Sequence, residues 1–168
     1  MGGFSVVVLM GILSFIYLFF IAIFVAVVLY IIMSYTFQGI SIMCMCKNMG
    51  YKNTFTAWIP FYNKYLLGKI AGNKIMGAIS GILSFIAICL GTRFYINKEL
   101  EIVLFIILAI SLIITFILDT MIAHRIYKSR ANKYGDILTV FNILSLGLLR
   151  PIFLFIIRNK NEQCSIKQ

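Results

Sequence analysis

Four apolar blocks separated by clusters of Lys and Arg constrain the fold of this chain more than any other feature. They cover residues 6–33, 75–91, 102–122 and 137–157. A helix needs about 20 apolar residues to cross a hydrocarbon core of ~30 Å. The pattern therefore predicts an all-α, polytopic membrane protein. We expect a single membrane domain over residues 1–168, with four transmembrane helices and a short interfacial helix or hairpin between the first two.

Composition supports this class. Hydrophobic residues make up 62% of the chain and charged residues 12%, and the mean hydropathy is +1.02. A soluble domain would carry many more charges. The net charge of +10 does not favour nucleic acid as a partner, because the basic residues lie between apolar blocks, where anionic lipid attracts them. The abundance of Ile, Phe, Lys and Asn is typical of an AT-rich bacterial genome.

The distribution of Lys and Arg predicts a topology in the bacterial cytoplasmic membrane. Linker 34–74 holds five lysines and linker 123–136 holds four basic residues, whereas the first nine residues hold none. Because cytoplasmic loops are enriched in Lys and Arg, both linkers should be cytoplasmic and the N-terminus outside. With four spans the basic C-terminal tail would lie outside, against this bias.

The fourth block therefore has two interpretations. Arg150-Pro151 interrupts it, and Pro has no N–H to continue the helix. In the favoured interpretation the block still spans the membrane, and the Arg150 guanidinium reaches the headgroups. In the alternative the chain turns back at Arg150-Pro151 and the tail is cytoplasmic.

The segment 54–72, within the first linker, is too aromatic for a solvated loop and too short to span. Pro60 favours an extended Ile59, Asn63 could cap a short helix, and Gly72 could end it in a left-handed conformation. Lys64 and Lys69 would reach lipid phosphates. The segment predicts an interfacial hairpin in the cytoplasmic leaflet, with these candidate binding residues: Trp58, Pro60, Tyr62, Asn63 and Tyr65.

This segment also carries a resemblance to a known family. The run from Trp58 to Tyr65, closing with Lys69-Ile70-Ala71-Gly72, resembles the signature of small bacterial multi-spanning membrane proteins of unknown function. Its members pair a Lys-x-x-Gly entry, here Lys47 to Gly50, with a Trp-x-x-Ile-Pro-x-Tyr-Asn-x-Tyr core. The run from Pro151 to Asn159 is similar to clostridial-type members. The resemblance implies a multi-pass membrane protein and no established activity.

Two further patterns lie within the spans. Gly77 and Gly81 fall four residues apart on one helical face, which suits close packing within the chain or between two copies. Ser111, Thr115 and Asp119 also follow a four-residue spacing and form a polar face. An intramembrane carboxylate is a candidate functional group, although Asp119 could instead be hydrated or paired with Lys or Arg.

Other reactive residues do not form a recognisable site. Cys44 and Cys46 point about 200° apart on a helix, so they are poorly placed to share a metal ion. His124 lies in a basic linker, and Cys89 and Cys164 are isolated in the sequence. We therefore expect no catalytic residues, no metal and no cofactor.

These features favour a non-enzymatic accessory component of the membrane that binds a protein partner or lipid, with anionic lipid at its cytoplasmic face. The alternative is an oligomeric pore or small-solute carrier that uses the Ser111, Thr115 and Asp119 face. A membrane enzyme is the least supported class, because the sequence shows no nucleophile–base pair or metal set.

Overall fold

A computed structural model describes residues 2–97 and 102–159, and every regular element in these ranges is helical. The helices are α1 (Gly2–Asn48), α2 (Tyr62–Ile70), α3 (Lys74–Asn97), α4 (Ile102–Ala131), α5 (Gly135–Leu144) and α6 (Arg150–Ile157). Two short 3₁₀ helices cover Phe55–Trp58 and Asn132–Tyr134. The predicted all-α class is confirmed.

Three helices in the described ranges are long and apolar enough to cross a membrane. These segments are Val7–Asn48, Lys74–Arg93 and Ile102–Ala131. They support the prediction of a membrane protein. The four predicted spans are not confirmed, because the fourth block is divided between two short helices.

Contacts between residues divide the chain into two units, residues 1–36 and residues 37–168. In the first unit, every apolar side chain from Val7 to Met33 that the structure describes lies exposed, as expected for a helix surrounded by lipid. The second unit holds the buried core. Its members from α1 are Ile42, Met45 and Cys46.

Helix α1 continues 15 residues beyond the predicted end of the first block at Met33. These residues belong to the predicted linker 34–74. Their apolar side chains recur at helical spacing and pack into the core of the second unit, which stabilises the additional turns. The helix ends before Gly50, whose φ of 76° is left-handed.

After α1 the chain forms a first hairpin, residues 51–72. Ile59 is extended (φ −81°, ψ 121°) and Gly72 is left-handed (φ 76°), as the sequence predicts. The prediction that Asn63 caps α2 is wrong. Phe61 (φ 65°) occupies the cap position, and Asn63 is a buried residue of the first turn.

The tip of the first hairpin, residues 58–61, lies beside α1 and α3. A Cβ added to Gly39 would lie 3.1 Å from the Trp58 ring, and one added to Gly81 would lie 3.0 Å from the Phe61 carbonyl oxygen. Gly39 lies roughly 13 Å before the end of α1, and Gly81 roughly 10 Å after the start of α3. The segment therefore runs back along these helices and α2 returns antiparallel to α3.

A second hairpin, residues 135–158, replaces the predicted span over 137–157. Helix α5 packs antiparallel to α4, with Gly135 against Lys128 and the Thr139 hydroxyl 2.9 Å from His124 Nδ1. The chain then reverses through Leu146 (φ 51°) and Gly147 (φ 83°). These two left-handed residues end the helix.

Helix α6 runs back along α4 towards its C-terminal end. Arg150 contacts Asp119, the Phe153 ring lies 6.1 Å from the Tyr127 ring, and Arg130 Nη1 is 3.5 Å from the Arg158 carbonyl oxygen. Pro151 lies in the first turn of α6, where its missing N–H breaks no helical hydrogen bond. The chain therefore turns back, as in the alternative interpretation of this block, but it does so at Leu146 and Gly147, just before Arg150-Pro151.

Candidate functional site: a shared carboxylate and an apolar groove

The Asp119 carboxylate accepts hydrogen bonds from three helices. Lys64 Nζ lies 2.9 Å from Oδ2 and Arg150 Nη1 lies 2.8 Å from the same oxygen. The Ser80 hydroxyl donates to Oδ1. Lys64 Nζ also donates to Ser84 Oγ at 2.5 Å. We call Lys64, Ser80, Ser84, Asp119 and Arg150 the carboxylate cluster.

Each hairpin contributes one cation to this cluster. Lys64 lies in the first full turn of α2, and Arg150 is the first residue of α6. Ser80 and Ser84 are one turn apart on α3, and the Ser84 hydroxyl also donates to the Ser80 carbonyl at 2.7 Å. Asp119 on α4 therefore connects both hairpins to the two central helices α3 and α4.

Little of the cluster reaches solvent. The exposed fractions of the Lys64, Asp119 and Arg150 side chains are 20%, 11% and 14%. Two cations and one carboxylate leave a formal charge of +1. Buried charges need partners because leaving water is costly. Removing the shared carboxylate would therefore affect both cations at once.

The contacts in the carboxylate cluster contradict two predictions made from the sequence. Lys64 was predicted to reach lipid phosphates, and Arg150 was predicted to reach the headgroups from a fourth span. Both predictions are wrong, because both side chains turn inward and pair with Asp119. The Asp119 carboxylate is thus paired with Lys64 and Arg150, which was one of the two non-functional roles that the sequence allowed, the other being hydration.

The other two residues of the predicted polar face lie outside the cluster. Ser111 and Thr115 are both buried on α4. The Ser111 hydroxyl donates to the Leu108 carbonyl at 2.8 Å, and Thr115 Oγ1 has no hydrogen-bond partner among the described residues. The structure therefore does not join them to Asp119 through hydrogen bonds.

Glycines allow α2 to approach α3 closely. A Cβ added to Gly77 would lie 2.7 Å from the Lys64 carbonyl oxygen and 2.8 Å from the Gly68 Cα. Gly81 faces the Phe61 carbonyl in the same interface. The two glycines of the predicted packing face thus pack within the chain, and this close approach positions Lys64 beside Ser84.

An apolar groove lies on the other side of the α2–α3 contact. It has a volume of about 450 Å³, and its lining comprises Phe61, Tyr62, Tyr65, Ala78, Gly81, Ile82 and Phe85. The Phe61 and Phe85 rings meet edge to face at 5.3 Å, and the Tyr62 and Tyr65 rings are also 5.3 Å apart. Aromatic residues of the predicted binding segment therefore form one wall of the groove, and α3 forms the other.

The remaining candidates are spread through the fold. Trp58 is half-buried against Gly39, and Pro60 follows it at the hairpin tip. The His124 ring forms a hydrogen bond with the Thr139 hydroxyl between α4 and α5. Cys44, Cys46 and Cys89 are free thiols, whereas Cys164 lies outside the described residues. No group of metal ligands occurs within residues 2–97 and 102–159.

Sequence reasoning missed four of the five cluster residues. The available signals were Arg150 inside an apolar block and the one-turn spacing of Ser80 and Ser84. An intramembrane cation requires a counter-charge, and Asp119 was the available carboxylate. Lys64 gave no such signal, because a lysine beside aromatic residues is also typical of a membrane surface.

No family model, curated protein or solved structure matches this chain. The resemblance of residues 47–72 to a family of small bacterial membrane proteins therefore stays a prediction.

Proposed function

We propose that this chain is a non-enzymatic accessory component of the bacterial cytoplasmic membrane that binds an anionic phospholipid. The observation that carries the proposal is the apolar groove between α2 and α3. One acyl chain would occupy it. One wall of the groove is α3, a helix long and apolar enough to cross a membrane, so the groove would open towards lipid.

A lysine at the end of the groove favours an anionic headgroup. Lys74 is exposed at the start of α3 and lies one turn before Ala78, on the same helical face as Gly81 and Phe85. The groove extends from Ala78 to Phe85, roughly 10 Å along α3. An acyl chain in the groove would thus place its phosphate near Lys74, and basic side chains near a membrane attract anionic lipid.

The hairpins suggest how the chain is inserted. We infer that the N-terminus lies outside and that residues 49–51, 72–73 and 132–134, which flank the two hairpins, lie at the cytoplasmic side. Both hairpins then enter the membrane from the cytoplasmic side and return to it. This arrangement has three spans and a cytoplasmic tail, and it removes the conflict with the positive-inside rule. At the tip of the second hairpin the N–H groups of Leu146, Gly147 and Leu148 donate to carbonyls of the preceding residues, and a membrane requires such pairing of non-helical backbone.

The pore or carrier alternative receives no specific support. It depends on Asp119 as a lining carboxylate, but both oxygens of Asp119 accept hydrogen bonds from cluster residues. It stays a prediction.

Filling the groove should displace the lipid. We expect Ala78→Phe to weaken binding of phosphatidylglycerol about tenfold, because the added ring occupies the space of the acyl chain. Native mass spectrometry of the purified protein, titrated with phosphatidylglycerol and phosphatidylcholine of matched chains, measures this change.

Two variants serve as controls for the lipid experiment. Ile79→Phe adds a ring at an exposed position of α3 that does not line the groove, and should retain binding. Lys74→Gln should reduce the preference for the anionic lipid about fivefold, since one basic side chain contributes ~1 kcal/mol to such attraction. Equal binding by Ala78→Phe and the wild type would contradict the proposal.

The inferred topology predicts a labelling pattern. In cysteine-free variants carrying one new cysteine, Ser5→Cys should react with an impermeant thiol reagent outside intact cells. Lys52→Cys and Asn159→Cys should react only after the membrane is opened. A fourth span would instead expose residue 159 outside, so external labelling there would refute the inferred topology.

A further inference from the structure

We propose that the carboxylate cluster contains a binding site for one small monovalent anion of the chloride type. The site is a cavity of about 10 Å³ between α2, α4 and the start of α6. Its lining comprises Lys64, Leu67, Asp119, Ile122, Ala123, Ile126 and Arg150. The inference is independent of lipid in the groove, because the groove shares none of these residues.

The charge balance calls for an anion. Lys64 and Arg150 both bond to the single carboxylate of Asp119, which leaves one positive charge without a counter-charge. Within residues 2–97 and 102–159 the only other acidic residue is Asp136. Its side chain is 76% exposed and lies 4.0 Å from His124, so it does not neutralise the cluster. A positive charge of this kind in an apolar region attracts a mobile anion.

Hydrogen-bond donors in the cluster exceed acceptors. Arg150 directs Nη1 to Asp119, while its Nε is buried and has no partner among the described residues. A guanidinium has five N–H donors and an ammonium has three. Asp119 Oδ2 already accepts from both cations, and Oδ1 accepts from Ser80. A further acceptor is therefore missing beside Arg150.

Size selects the class of anion. A cavity of about 10 Å³ has room for one particle close to the size of a water molecule, and phosphate or sulfate would not fit. Leu67, Ile122 and Ala123 line it with apolar atoms, which suits a monatomic ion held by a few donors.

Chloride binding can be measured by the broadening of the ³⁵Cl NMR line on addition of the full-length protein in nanodiscs of neutral lipid, in gluconate buffer. The wild type should broaden the line in a saturable manner. Lys64→Gln should weaken chloride binding at least about tenfold, because it removes one of the two cations. Lys52→Gln makes the same charge change at an exposed position and should bind as the wild type does.

A second variant keeps every charge. Ala123→Val fills the cavity and should also abolish the chloride-dependent broadening, whereas Ala22→Val, on the exposed surface of α1, should not. Comparing Ala123→Val with Ala22→Val tests chloride binding in the cavity even if Lys64→Gln does not fold. Broadening by the wild type that equals that of Ala123→Val would show that the cavity holds only water, and would overturn the proposal.

Discussion

Asp119→Ala is expected to lower the free energy of unfolding by about 3–5 kcal/mol, because it removes the carboxylate that two buried cations share. The substitution leaves the Lys64 ammonium and the Arg150 guanidinium buried beside each other without their shared carboxylate. Both hairpins then lose their ion pair with α4. Unfolding by SDS in mixed micelles, followed by circular dichroism, measures the loss.

Controls for this substitution separate the buried carboxylate from a general change in charge. Asp136→Ala removes an exposed carboxylate, so its effect should be small. Replacing all three charges, as Lys64→Met, Asp119→Leu and Arg150→Met, should recover much of the lost stability, because no buried charge then remains unpaired. Equal losses for Asp119→Ala and Asp136→Ala would show that the cluster does not stabilise the fold.

The second large effect is expected for Gly77→Leu, with a loss of about 3 kcal/mol from overpacking. The added Cβ alone would lie 2.7 Å from a carbonyl oxygen of α2 and 2.8 Å from a Cα, and neither backbone atom can rotate away. Helix α2 would have to move off α3. The same unfolding assay detects the change.

Gly91→Leu is the matched control on the same helix, because a Cβ there meets nothing within 4 Å. It should be neutral or slightly stabilising, since Leu is a better helix former than Gly. If both substitutions cost the same, the close contact between α2 and α3 is not present in the protein.

Local features of this fold could be predicted from the sequence. Apolar length predicted the three long helices, and Pro60 and Gly72 predicted the extended residue and the left-handed stop that frame α2. Each of these depends on the properties of one residue or one segment. The first helix was predicted too short because its last turns are stabilised by core contacts, which hydropathy does not report.

The partners of Asp119 could not be predicted, because they depend on tertiary structure. Lys64 and Arg150 lie 55 and 31 residues away from Asp119 in sequence. The composition around Arg150-Pro151 favoured a kinked span over a reversal. The reversal was decided by residues that gave little signal, Leu146 and Gly147, whose left-handed conformations turn the chain.

The chain turns back after α5, so that α6 returns along α4 and brings Arg150 to Asp119. Cross-linking of paired cysteines with a short bifunctional thiol reagent, in a cysteine-free background, tests this reversal. Tyr127→Cys with Phe153→Cys should cross-link, because the two rings that they replace pack edge to face with centroids 6.1 Å apart. In α5, Gly135 lies against Lys128 and Thr139 lies against His124. If α5 continued as one helix in the same register, residue 153 would lie beside residue 110. Ile110→Cys with Phe153→Cys should therefore not cross-link. Cross-linking of the second pair without the first would show a fourth span and rule out the reversal after α5.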